Sequence, residues 1–177
     1  MVVSANVSAG DTVLATQFNN LRTDVTNSFI LEGEDTTERT TTSTSEVELS
    51  RITGLSIVAA KSLLVICSYR KTSGAADYAR LTIRLNSTDI RTNPDSVTGN
   101  GDSNAQGLLV AWFGPRVTNY LRSVSITARS DDNAVESALL PNDDMPTATI
   151  TAVSIRGSVG NASITLGTDE LKVYSHG

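Results

Sequence analysis

Tyr78-Ala79-Arg80-Leu81-Thr82-Ile83-Arg84-Leu85 alternates apolar side chains with larger polar ones over its whole length. A β-strand turns successive side chains to opposite faces, so Ala79, Leu81, Ile83 and Leu85 make one apolar face. Tyr78, Arg80, Thr82 and Arg84 make the other. Asn86-Ser87-Thr88-Asp89 supplies a turn, and Ile90 opens a short return strand. The arginines, with Arg91 beyond them, read as a solvated strand face that discourages pairing with foreign strands. The period of two decides for sheet over helix.

The same logic extends in both directions. Upstream, Glu46-Val47-Glu48-Leu49-Ser50 alternates. Ser62 to Tyr69 is almost continuously apolar, as expected of a central strand covered on both faces. Downstream, Gly107 to Phe113 is a second continuous apolar stretch, in which Trp112 and Phe113 read as core. Leu121 to Ala128 and Thr147 to Ile155 alternate, and Ser163–Leu166 and Leu171–Tyr174 add two short strands. Long loops dense in turn formers lie between them, above all 92–104. The Thr-rich stretch 36–45 reads as an exposed edge strand or a loop. About eight to ten strands at spacings of roughly 8–20 residues, with no helix between them, point to an antiparallel sandwich. The strand number and the long crossing loop favour a jelly roll. Val47, Leu49, Val65, Leu81, Ile83, Val110, Ile126 and Ile150 are its expected core.

Composition agrees. Ser and Thr number 21 and 23 of 177 residues, a balance that suits strands and turns and disfavours a helical bundle. A hydrophobic share of 39% excludes general disorder. No apolar run approaches the roughly 20 residues that a membrane-spanning helix needs. Met1-Val2-Val3-Ser4-Ala5-Asn6 has no basic region and does not read as a secretory signal. A net charge of −5 speaks against a nucleic-acid surface, so neither nucleic acid nor membrane is an expected partner.

One stretch breaks the β pattern. In Leu14-Ala15-Thr16-Gln17-Phe18-Asn19-Asn20-Leu21-Arg22-Thr23-Asp24-Val25, the residues Leu14, Phe18, Leu21 and Val25 recur at helical spacing, with Thr16 as a candidate cap. The expected division is an arm and short α-helix over 1–28 and a sandwich over 29–177. A helix this short is marginal alone and must dock. Its stripe fits the seam of a bundle between copies, or it packs on its own sandwich.

Gly10-Asp11-Thr12-Val13 with Ala15-Thr16-Gln17-Phe18-Asn19-Asn20-Leu21-Arg22-Thr23-Asp24-Val25 resembles the N-terminal segment of tailed-phage structural proteins, tail fibres among them. The endings 148–157 and 165–175 are similar to the closing strands of small β-sandwich modules on phage particles. The resemblance implies a virion protein, a capsid decoration or a fibre module. It further implies self-association, as a homotrimer, and contact with the major capsid protein or a tail component.

Catalytic chemistry finds little to work with. A nucleophile needs a base beside it, and the single histidine, His176, is the penultimate residue. One cysteine, Cys67, and one histidine cannot build a zinc site, and Cys67 lies in an apolar run. The carboxylate pairs Glu46/Glu48, Asp131-Asp132, Asp143-Asp144 and Asp169-Glu170 lie mostly beside turns, where solvated acids are the default. Loop acids such as Asp143-Asp144, or Asp95 with Asp102, are the place for calcium, but no EF-hand-type loop is present. The expectation is therefore no enzyme, no cofactor and no metal. Tyr78 and Tyr120 are candidates for a ligand surface, should the chain instead be a receptor- or carbohydrate-binding module of a fibre.

Overall fold

The computed structural model describes residues 28–73, 79–91, 104–115, 123–129, 135–140 and 146–177, and strands make up most of them. In chain order these are β1 (Ile30–Asp35), β2 (Arg39–Thr41), β3 (Val47–Ile57), β4 (Ser62–Ser73), β5 (Ala79–Leu85), β6 (Thr88–Arg91), β7 (Asn104–Phe113), β8 (Ser123–Arg129), β9 (Val135–Leu140), β10 (Ile150–Val159) and β11 (Ile164–His176). They form two antiparallel sheets in a sandwich-like arrangement. The larger has the order β1-β11-β4-β7-β8-β9, with β2 also on β11, and the smaller has the order β3-β10-β5-β6. The expected N-terminal helix lies outside the described residues.

Alternation builds the core between the sheets. Ala79, Leu81, Ile83 and Leu85 of β5 are buried, on the face that their spacing assigns to them. Leu63, Val65, Cys67 and Tyr69 of β4 and Leu109, Ala111 and Phe113 of β7 meet them from the large sheet, joined by Leu166, Leu171 and Val173 of β11. Leu49, Ile52, Leu55 and Ile57 of β3 and Ile150, Val153 and Ile155 of β10 complete the cluster. Each Val, Leu, Ile or Phe side chain among them contributes about 1.5–3 kcal/mol through burial. The sheets pack tightly at Gly157, where a Cβ would fall 2.6 Å from Leu49 Cδ1 and 2.7 Å from Leu166 Cδ2.

Irregularities shift the alternation where it fails to run true. Between Ala152 and Ile150 of β10, two steps face four on β3, from Thr53 to Ile57. Gly54 sits in that excursion at φ +77°, which a glycine adopts at little cost. The apolar set of β10 changes phase in the same place, between Ile150 and Val153, so the alternation expected from Thr147 to Ile155 is broken once. The two short strands expected near the C-terminus are one strand, β11, with an irregularity between Thr168 and Glu170. There β1 gives way to β2 along its edge. The Thr-rich stretch contributes that short strand, and its Arg39 and Thr40 are exposed. The turn at Asn86 is a tight hairpin joining β5 to β6, with Asn86 at φ 55°.

Candidate functional site

The outer face of the large sheet carries the most unusual chemistry of the described residues. A continuous apolar strand has apolar side chains on both faces, and β4 and β7 are two such strands paired along their length. Their inner positions are buried, whereas their outer positions are not. Leu64 and Ile66 are half-buried, and Leu108 and Trp112 are 40% and 39% exposed. The expectation that β4 is covered on both faces is thus corrected. Val110 is likewise half-buried on this outer face rather than in the core, and of the pair Trp112-Phe113 only Phe113 is buried.

Register joins these residues into rows, because partners across an antiparallel ladder share a face. One row runs Leu31, Tyr174, Leu64 and Trp112, across four strands and without a charge. The next contains Glu34, Lys172, Ile66 and Val110. Beside the first row, Phe29 is 49% exposed where the chain enters β1, and its ring lies 5.0 Å from that of His176. Four strands span about 14 Å.

The outer face of the small sheet is different. Arg84 donates from Nε to Asp89 Oδ1 at 2.5 Å and from Nη2 to Oδ2 at 2.8 Å. Arg156 Nη1 reaches both Asp89 Oδ2 and Glu46 Oε2 at 3.2 Å, and Thr82 Oγ1 donates to Glu46 Oε1 at 2.8 Å. The Arg84 hydrogen bonds lower the Asp89 pKa and raise that of Arg84 itself. Two arginines facing two carboxylates leave no net charge to attract an ion, and their geometry ties β5, β6 and β10 together. Arg84 is therefore a paired member of a central strand, not the solvated edge cation its spacing implied.

A second polar group joins the sheets. Asp35 Oδ2 accepts from Arg39 Nη1 at 2.5 Å and from the Arg51 backbone N–H at 3.0 Å, and Oδ1 accepts from the Thr37 N–H at 3.1 Å. Burial pushes the Asp35 carboxyl up, but these hydrogen bonds outweigh it and hold the pKa at about 2. Arg39 also donates to Leu49 O at 2.9 Å, so β1, β2 and β3 share one knot. Burial, with smaller contributions from Asp169 and Asp35, pushes the Cys67 thiol up to about 12 and makes it unreactive. Among the described residues, no three His, Cys, Asp or Glu side chains are grouped so as to hold a metal ion.

The residues singled out from sequence, Leu14, Phe18, Leu21, Val25, Tyr78 and Tyr120, lie outside the described residues. The outer face was visible in the sequence only as an excess: strands apolar at every position when one buried face needs every second one. No protein-family model and no curated protein matches the chain.

Proposed function

We propose that this chain is a non-enzymatic structural protein of a tailed-phage particle. In this reading it is a jelly-roll module with an N-terminal helical anchor over 1–28, and it decorates or projects from the virion. Copies join, as a homotrimer, through the N-terminal segment and the edges of the sandwich, and the module attaches to the major capsid protein or a tail component. It binds neither nucleic acid nor membrane and needs no cofactor.

The observation that carries the reading is the apolar outer face. An apolar patch this wide marks a surface built to be covered by another protein layer. A helix of a dozen residues is about 10–12 Å across and covers about two strand spacings, which leaves the β8 and β9 side for a neighbouring copy. Strand pairing supports the jelly roll. Setting aside β2, β8 and β9, the other eight strands pair first with last, second with seventh, third with sixth and fourth with fifth. Those pairs are β1 with β11, β3 with β10, β4 with β7 and β5 with β6, the nesting left by one antiparallel ribbon wound into two sheets. The resemblance of 10–25 to phage structural proteins supplies the setting.

Mass spectrometry of purified phage particles from cells carrying this gene tests the reading. Peptides of this chain should appear at a copy number comparable with the known structural proteins, and a density map should place it on the capsid or tail. Absence from intact particles overturns it. The exposed Trp112 favours a second reading, a carbohydrate-binding module, since indole rings stack on sugars. Specific binding on a glycan array would select it.

A further inference from the structure

We infer that the apolar stripe Leu14, Phe18, Leu21 and Val25 docks on the outer face of the large sheet of its own chain, over β11, β4 and β7, which leaves the arm ahead of it and the sandwich edges to join copies. The inference rests on the helical reading of this segment given above and not on the virion setting. The point of entry argues for it. Phe29, the last residue before β1, lies against His176 and beside the row Leu31, Tyr174, Leu64, Trp112. Thr26, Asn27 and Ser28 connect it to Val25 and span up to about 14 Å between the flanking Cα atoms. Two strand spacings, the distance from β1 to β4, are about 10 Å. A connector this short holds the stripe near its own sheet at high effective concentration, ahead of any sister copy.

Size and chemistry match as well. From its cap at Thr16 to Val25 a helix rises about 14 Å, with Leu14 just ahead of it. Leu108 to Trp112 along β7 covers about 14 Å, and the row from Leu31 to Trp112 crosses about the same distance. Neither the stripe nor that row holds a charge. Docking gives the marginal helix the packing it requires and covers the exposed indole of Trp112.

Trp112 is the single tryptophan of the chain, so its fluorescence reads this face directly. In the full-length protein its emission should lie at short wavelength and resist acrylamide. In a Phe18→Asp/Leu21→Asp variant with unchanged strand circular dichroism, emission should move to longer wavelength and quenching should rise severalfold. A second measurement does not disturb the stripe. A nitroxide on Gln17→Cys should quench Trp112 within one chain, with Cys67 too buried to take the label. Equal acrylamide quenching in wild type and variant overturns the inference, as does protection that vanishes on dilution, which would assign the cover to a second copy. The circular-dichroism difference between the full chain and one beginning at Phe29 separates the two readings. A helical difference with an unprotected Trp112 sinks the docking alone, and no helical difference sinks both.

Discussion

At the scale of single residues, Asn86 and Asp35 carry more than their exposure implies. Asn86 holds a left-handed turn, and its Oδ1 accepts from the Thr151 and Ala152 N–H groups at 2.8 and 3.2 Å while its Nδ2 donates to Thr149 O at 3.0 Å. It thus clamps the β5–β6 hairpin to the start of β10. Asn86→Ala loses both the turn conformation and the clamp and should cost about 2–3 kcal/mol in urea unfolding. Asn86→Gly keeps the turn and should cost less. Asp35 has its folded pKa at about 2, below the ordinary 3.8, so its contribution is fully present above about pH 4 and is lost as pH falls toward 2. That contribution is at most about 2 kcal/mol. Asp35→Asn should destabilise the protein at neutral pH and flatten the fall in stability between pH 4 and 2. A variant with an unchanged acid limb would show that the knot at β1–β3 is not what titrates.

At the scale of elements, the sequence spoke plainly where one face is buried and ambiguously elsewhere. Ala79, Leu81, Ile83 and Leu85 declared their face because polar neighbours interrupt them, and the structure buries all four. β4 and β7 hid theirs, since Leu63-Leu64-Val65-Ile66 reads the same from either side, so Val110 and Trp112 were placed inward in error. The phase change in β10 was not legible either, because it coincides with an irregular pairing to β3 around Gly54, far away in sequence. Arg84 looked solvated because Asp89, its bidentate partner, comes from the return strand β6. A chain beginning at Phe29 should retain the sandwich, as the described core draws only on residues from Val47 onward. With its outer face bare, it should associate more strongly than the full chain in light scattering at equal concentration. Failure of that shorter chain to fold would make the N-terminal segment part of the core.

For the whole molecule, self-association is the property to measure first. Full-length protein should run as a trimer in native mass spectrometry. A full-length monomer at micromolar concentration would remove assembly as an intrinsic property. The pairing of β1 and β4 with β11 also says something about how the protein comes into being. Leu64 finds its partner Tyr174 only after 110 further residues have been added. At about 5–20 residues per second, a ribosome takes roughly 5–20 s to make them. During that wait the edge of β4 that β11 will pair stays open, and pairings so remote in sequence close slowly even once the chain is complete. Synthesis should therefore yield no protected sandwich until the last strand has left the exit tunnel. Nascent chains arrested before Ile164 should be cleaved by protease throughout, whereas chains extended far enough to free His176 should become resistant in a single step.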